Sequence, residues 1–317
     1  MSNFPLVSVL IPLYNKENYI AETINSVLNQ VYPNVELIIV DDGSTDNSFN
    51  IAEQFISPNI HLFKQSNKGA SAARNKAFEL SKGVFIQYLD GDDLLHPNKI
   101  MEQMSILMQH SLSISTAHWQ YFNGEMEENR QDERKELCRN YDDLIDFLLK
   151  IMCHGFPIHA WLIPRLIIEK AGKWDEKVFV FDDKDFMMRL ILEADSIQFC
   201  DAAYCYYRML SDEKHLSARR DHDVLLGALR HIDNATAYFS TLPIDARPVL
   251  ACLHKKLLII ALQDIKIINE LQNRSIKLGR VPNCNSNKWV RLCEKTMGVR
   301  LMFLLVYFRA KYFNITG

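Results

Sequence analysis

Between Tyr88 and Pro97 the stretch YLDGDDLLHP sets Asp90, Asp92 and Asp93 within four residues, directly after the apolar run Val84-Phe85-Ile86. Carboxylates this close raise one another's pKa unless something positive stands among them. A bound cation would answer that need, since a hard divalent ion takes carboxylate oxygens and fills its other positions with water or phosphate. A purely structural reading answers it too: Gly91 between acids makes a turn, and acids ahead of Pro97 favour the start of a following helix. Two further polar groups invite the same question. DDGSTDNS, from Asp41, offers a turn with Ser44 as a helix cap, and FDDKDFMMRL reads as a helix start capped by Asp182 or Asp183.

The chain that must position these groups has 317 residues, enough for two domains or one large domain with an appendage. Its formal charge of -3 hides a split. From Leu271 to Gly317 nine Lys or Arg face the single acid Glu294, a tail at +8 on a body at -11, which suggests a tail that meets something anionic. No nucleic-acid partner is expected. The seven cysteines are scattered without a CxxC pair, as free thiols in a reducing cytoplasm would be. MSNFPLVSVLIPLYN lacks a basic n-region and is broken by Ser8 and Pro12, so it reads as a strand rather than a signal peptide. The longest apolar run, Leu301 to Phe308, is far too short to span a bilayer.

Two periods alternate through the first half. Apolar runs at Val7–Ile11, Val35–Val40, Ile60–Phe63 and Val84–Leu89 read as strands. Helical patterns lie between them, around Ile20–Leu28, behind Ser44 through Phe49 and Phe55, and over Ala70–Leu80. This is the pattern of a mostly parallel sheet with helices on both faces, and such sheets bind ligands outside the carboxyl ends of their strands. The polar clusters fall at those ends: Pro12-Leu13-Tyr14-Asn15 after the first strand, Asp41-Asp42-Gly43-Ser44 after the second, Asp90 to Asp93 after the fourth. Further on, the pattern predicts a helix to about Gln109, a strand near Ser113–Trp119 and an exposed charged loop over Asn123–Arg139. It then predicts a helix at Asp142–Met152, a strand at Ile158–Ile163, a helix from Pro164 to Ala171 and helices from Asp221 onward.

VSVLIPLYNKENYIAETINSVLNQ, VELIIVDDGSTDNS, NKGASAARNKA and YLDGDD, in this order and spacing, resemble the bacterial family 2 glycosyltransferases, which have the GT-A fold. AGKWDE, FDDKDFMMRL and YYR extend the likeness to residue 217. The resemblance implies an α/β, Rossmann-like catalytic domain over 1–217, with a nucleotide-sugar half at 1–110 and an acceptor half at 111–217. A helical, basic region follows at 218–317. It implies that Pro12, Tyr14, Asn15 and Glu17 line the nucleotide pocket, where the Tyr14 ring offers a face to a base and Pro12 stiffens the backbone. Asp41 would accept a hydrogen bond from the base or ribose, with Asp42 holding the turn. Arg74 would lie near the diphosphate, its fork suited to phosphate oxygens, with Lys68 and Gly69 shaping that loop.

Asp90 and Asp92 match the family's DxD element, with Asp92 as the Mn²⁺ or Mg²⁺ ligand, Asp90 on the ribose or the metal, and Asp93 supporting them. Asp183 matches the general base, its pKa raised by Asp182 and Asp185. Asp182 stands where the family has Glu, which leaves the choice between the two open. His154, His159, Trp161 and His215 each carry a structural alternative.

The expectation is an inverting, metal-dependent hexosyl- or N-acetylhexosaminyltransferase. It would use a nucleotide-diphosphate sugar, UDP-linked, with a glycan or lipid-linked acceptor in surface polysaccharide or lipooligosaccharide synthesis. A cytoplasmic place at the inner face of the membrane would suit the tail, where Lys288–Arg291 and Val299–Tyr312 mix basic and aromatic residues as an interfacial helix does. The alternatives are a non-catalytic sugar-nucleotide-binding protein of this fold and a metal-dependent phosphohydrolase. The latter wants Thr or Val after its second Asp and its motif on the first strand; here Asp93 follows, on the fourth.

Overall fold

Each apolar run expected as a strand forms one. β1 (Val7–Leu13), β2 (Val35–Asp41), β3 (Ile60–Lys64) and β4 (Phe85–Tyr88) lie in the order β3-β2-β1-β4, all parallel. Val7, Val9, Leu10, Ile11 and Leu37 to Val40 are buried without alternation, because helices cover a parallel sheet on both faces. Between the strands run α1 (Ile20–Leu28), α2 (Ser48–Glu53) and α3 (Ala70–Leu80). α3 packs on β1 and β2, and the buried Ala72, Ala73 and Ala77 let its axis approach the sheet closely. The computed structural model describes residues 4–123, 137–153, 156–178, 181–209, 222–242, 250 and 253.

The sheet continues as β4-β7-β6-β8-β5, through β5 (Leu94–Leu95), β6 (Ile114–Phe122), β7 (Trp161–Pro164) and β8 (Ile197–Arg208). β7 runs antiparallel to both β4 and β6, β8 parallel to β6, and β5 antiparallel to β8. Six strands therefore share one direction, and only β7 and β5 oppose it. α4 (Lys99–Leu107), α5 (Leu144–Cys153), α6 (Arg165–Ala171) and α7 (Asp182–Leu192) complete this part.

Several boundaries differ from expectation for physical reasons. α2 starts at Ser48 with Asn47 before it, because the Ser44 hydroxyl accepts the Asn15 N–H instead of capping a helix. Residues Ile158–Ala160 form a 3₁₀ turn ahead of β7, and Trp161 beyond it is wholly buried, a core residue rather than a sugar-stacking one. Leu137, placed by charge in an exposed loop, is buried. β8 is the longest strand, yet its pattern is interrupted: the pairing with β6 jumps from Cys200 opposite Ala117 to Tyr204 opposite His118. That bulge of Asp201, Ala202 and Ala203 breaks the period of two on which a strand is recognised.

By backbone contacts the chain divides into two units, Met1–Glu176 with Asp182–Glu213, and Lys177–Phe181 with Lys214–Gly317. In the second, α8 (His222–Ser240) buries Ala228, Leu229, Ile232, Ala235 and Phe239 along one stripe, and His231 lies against the Phe181 ring at 5.8 Å. No helix among the described residues is long and apolar enough to cross a membrane. His154, His215, residues 124–136 and the basic tail segments 288–291 and 299–312 lie outside the described residues.

Candidate active site

The carboxyl ends of β1 and β2 are joined by a two-way clasp. Asn15, at φ 50°, takes the left-handed backbone that asparagine tolerates, and this turns its side chain back on the second loop. Its Oδ1 accepts the Thr45 N–H at 2.8 Å while its own N–H donates to Ser44 Oγ at 3.1 Å. Lys16 N–H donates to Ser48 Oγ at 2.7 Å, Glu17 N–H to Asp46 Oδ2 at 3.1 Å, and Asn47 N–H to Glu17 Oε2 at 2.9 Å. The side chains of Asn15 and Glu17 are thus committed to holding the loops together. Pro12 is half-buried beside them, and Tyr14 stands out from the clasp, 44% exposed.

At the end of β2 two aspartates face opposite tasks. Asp42 Oδ1 accepts from Gln65 Nε2 and Lys68 N–H, and its Oδ2 accepts from Gly69 N–H, so it fixes the turn leading into α3. Asp41 is wholly buried; its Oδ2 takes the Ser44 N–H at 3.2 Å, but Oδ1 has no donor among the described residues. A buried carboxylate oxygen without a donor is costly, and a ligand N–H or O–H would satisfy it.

After β4 each aspartate of LDGDD has a separate positive partner supplied by the chain. Asp90 Oδ1 accepts from Arg74 Nη2 at 2.7 Å. Asp92 Oδ2 pairs with Lys16 Nζ at 2.9 Å. Asp93 Oδ1 accepts the Arg208 N–H at 2.8 Å, and its Oδ2 lies 3.0 Å from His159 Nδ1, at ion-pair distance but outside hydrogen-bond alignment. Compensation is incomplete. Burial pushes Asp92 up to about 6, with Asp93 and Asp90 adding to the rise and Lys16 only partly opposing it. For Asp90 burial also works upward, but Arg74 outweighs it and holds the carboxyl below its ordinary range.

Arg74 joins this loop to α7. Its Nη1 donates to Asp182 Oδ2 at 2.8 Å while Nη2 holds Asp90, and its guanidinium lies 4.4 Å from the centre of the Trp174 ring. Trp174 stacks on Phe186 at 4.2 Å and meets Tyr88 edge-on, and its backbone exchanges two hydrogen bonds with the Asn75 amide. Burial opposes charge on Arg74, yet Asp90 and Asp182 together raise its pKa. Asp182 is pushed up to about 6, by burial first and by Asp183 and Asp90, against Arg74. Asp183, next on α7, accepts only the Lys184 N–H and makes no ion pair among the described residues. Both acids stand in the first helical turn, where the helix dipole favours negative charge.

Reading the sequence missed Lys16, His159 as a partner of Asp93, and above all Arg208. At the end of β8, Arg208 Nε donates to the Asp92 carbonyl at 2.8 Å and Nη2 to Glu22 at 2.5 Å, with its guanidinium between the rings of Phe122 and Tyr19. It anchors the acidic loop from the far half of the sheet. Only Lys16 had a legible signal, its place directly after Asn15. Arg208→Ala is expected to destabilise the protein by about 2–3 kcal/mol, the lower range for two charge-assisted bonds because Glu22 is half exposed. Urea unfolding checks this, and a loss under about 0.5 kcal/mol contradicts it.

No group of three His, Cys, Asp or Glu side chains among the described residues is arranged to enclose a metal ion. Carboxylates after β2 and β4 and at the start of α7, a clasped loop with an exposed Tyr and an orphaned Asp oxygen come together instead at the carboxyl ends of the parallel strands, an acidic surface suited to a polar ligand. The fold is that of the crystal structure of Staphylococcus aureus TarS residues 1–349 in complex with UDP-GlcNAc, with a TM-score of 0.64 and 17% identity over 86% of this chain and 88% of that one. The architecture is the GT-A fold. Residues 8–172, just over half of the chain, match the model of Glycosyl transferase family 2, and the chain belongs to that family. Among its relatives are the putative teichuronic acid biosynthesis glycosyltransferase TuaG of Bacillus subtilis, 43% identical over 119 residues (36% of this chain, 47% of that one). Another is the Escherichia coli UDP-Glc:alpha-D-GlcNAc-diphosphoundecaprenol beta-1,3-glucosyltransferase WfgD, 38% identical over 119 residues (37% and 47%). The chain thus spans about half the length of these two relatives.

Proposed function

We propose that the protein transfers a sugar, with inversion, from a UDP-linked donor to a hydroxyl of a glycan or lipid-linked acceptor. The observation that carries this reading is the surplus negative charge of the acidic loop: Asp92 remains pushed up to about 6 although Lys16 sits 2.9 Å away. Hard carboxylate oxygens with unspent negative charge fit Mn²⁺ or Mg²⁺, which take one or two carboxylates and complete their shell from water and phosphate. Asp92 would hold the ion, with Asp90 beside it on the ion or the ribose. When bound, such an ion neutralises charge on a leaving diphosphate as a Lewis acid.

The chain's own groups supply the rest. Tyr14 offers its exposed ring to the base, beside Pro12, and Asp41 Oδ1 accepts a proton donor of the base or ribose. Asn15 and Glu17 keep that wall in place through the loop clasp. Arg74 holds Asp90 and Asp182 at the diphosphate end of the pocket. Asp183 takes the proton of the acceptor hydroxyl as it attacks the anomeric carbon opposite the leaving group, so an α-linked donor gives a β-linkage. Asp183 suits this role better than Asp182, whose carboxylate is held in an ion pair by Arg74 through Oδ2. Residues 1–217 would form the catalytic domain, donor half 1–110 and acceptor half 111–217. The basic region 218–317 would rest on an anionic membrane at its cytoplasmic face, where surface polysaccharide or lipooligosaccharide is assembled; among the relatives, TuaG is a putative teichuronic acid biosynthesis enzyme and WfgD acts on a diphosphoundecaprenol-linked acceptor.

Calorimetric titration with UDP tests the reading. Binding is expected to require Mn²⁺ or Mg²⁺, and Asp92→Asn is expected to weaken it at least 10-fold while leaving the thermal midpoint of the metal-free protein unchanged or raised. Equal UDP affinity with and without the ions, or in the variant, overturns the metal assignment.

A further inference from the structure

A second constellation lies away from the acidic surface, on β6, β8 and the segment before α5. His118 Nε2 meets Asp201 Oδ1 at 2.9 Å, and on the other side of the ring His118 Nδ1 faces Cys138 Sγ at 3.8 Å. The contact to Asp201 fixes the tautomer: Nε2 carries the proton, and the Nδ1 lone pair points at the thiol. The ring cannot easily turn away, since it stacks on Tyr204 at 4.9 Å and takes the edge of Phe199 at 4.8 Å. Asp201 directly follows Cys200, which pairs with Ala117, so it stands beside His118 at the start of the β8 bulge; the bulge puts Tyr204 opposite His118 in the ladder and leaves the Asp201 side chain outside the regular pairing, facing the imidazole. Cys138 is partly exposed, whereas Cys200 and Cys205 are buried.

Nucleophile, base and orienting carboxylate in this order are the arrangement that activates a thiol. We propose that Cys138, His118 and Asp201 form a nucleophilic thiol site onto which a low-molecular-weight disulfide exchanges. The Cys138 proton passes to His118 Nδ1, and the thiolate attacks one sulfur of the disulfide. The S–S bond breaks as the new bond to Sγ forms, and the second sulfur leaves as a thiolate with the electron pair. Cys138 is thereby oxidised to a mixed disulfide, one half of the reagent is reduced, and excess thiol reverses the step.

The magnitude follows from ionisation. An ordinary thiol is roughly 3% thiolate at pH 7, so complete ionisation multiplies the reactive form about 30-fold, and the weaker nucleophilicity of a more acidic thiol returns part of this. A net acceleration of roughly 3-fold remains. Asp201 is 91% exposed, so its share is small.

The full chain is treated at pH 7 with a limiting amount of dithiobis(nitrobenzoate), and the labelled cysteine is identified by peptide mass mapping. Cys138 is expected to be modified first, Cys138→Ser to abolish that fast phase, His118→Gln to slow it roughly 3-fold and Asp201→Asn about 1.5-fold. Cys200 and Cys205 must stay unlabelled in each variant, which shows that the fold is intact. Should His118→Gln fail this control, Asp201→Asn, altered only at an exposed side chain, carries the test. Fast labelling of another cysteine, or a Cys138 rate unchanged in the folded His118 or Asp201 variant, overturns the proposal.

Discussion

Asp183→Asn is expected to lower sugar transfer by roughly 10²–10⁴-fold, the range for loss of a positioned general base, while UDP affinity stays within twofold of wild type. The amide keeps the shape of the side chain and its contact with the Lys184 N–H, and it touches none of the groups on Asp90 or Asp92. Release of UDP from a panel of UDP-sugars, with any acceptor that supports turnover by the wild type, provides the assay. Asp182→Asn is the informative companion. It removes a charge that Arg74 balances, so it should disturb stability and donor binding together rather than transfer alone. Normal turnover in Asp183→Asn with no turnover in Asp182→Asn would move the base to Asp182.

Arg74→Ala should produce the largest loss of stability. Removing the guanidinium leaves Asp90 and Asp182 facing each other without their shared partner, and an uncompensated buried charge costs about 3–5 kcal/mol. Because the Asp90 side chain is one-third exposed, the lower end applies, a fall in Tm on the order of 10 °C measured in EDTA. The pH dependence has a definite sign. In the wild type the folded pKa of Asp90 is depressed, so its stabilisation is already complete at pH 5 and is lost only well below. In the variant both carboxylates lose the partner that holds their pKa values down, and their folded forms bind protons as the pH drops to 5. The gap in Tm between wild type and variant should therefore narrow from pH 7.5 to pH 5. Arg74→Lys should fall between the two, since one ammonium cannot reach both carboxylates as the fork does. A gap that widens toward acid would show that the ion pairs are not what the arginine contributes.

Much of the parallel half was legible because each strand is a short β-branched run and each loop a polar cluster, local signals that survive without tertiary context. The direction of β7 and the existence of β5 were not. A strand of two residues has no period, and strand direction is set by the chain's return path rather than by composition. Lys99 shows the same limit at a single position. At the start of α4 it reads as a solvated charge, yet it is wholly buried, donates to Gln87 at 2.5 Å and Gln103 at 2.6 Å, and is pushed down to about 8 by burial. In the candidate site the carboxylates were visible from their spacing, whereas their pairing with cations was not: Arg74 was expected at the diphosphate, but its fork holds Asp90 and Asp182. Arg208 lies more than a hundred residues from the aspartates it anchors, and nothing local in YYR announces the pairing.

The clasp between the first two loops bears on how a nucleotide would be received. Seven amides in this turn region, those of Asn15, Lys16, Glu17, Ser44, Thr45, Asn47 and Ser48, already have side-chain oxygens as acceptors before any ligand arrives. A surface loop that must freeze around its ligand forfeits backbone entropy of roughly 1–2 kcal/mol per residue at that moment. Here the chain has met that cost during folding, so the wall beneath Tyr14 is a preformed rim, and in the proposed reading a base would dock there without further ordering of this turn.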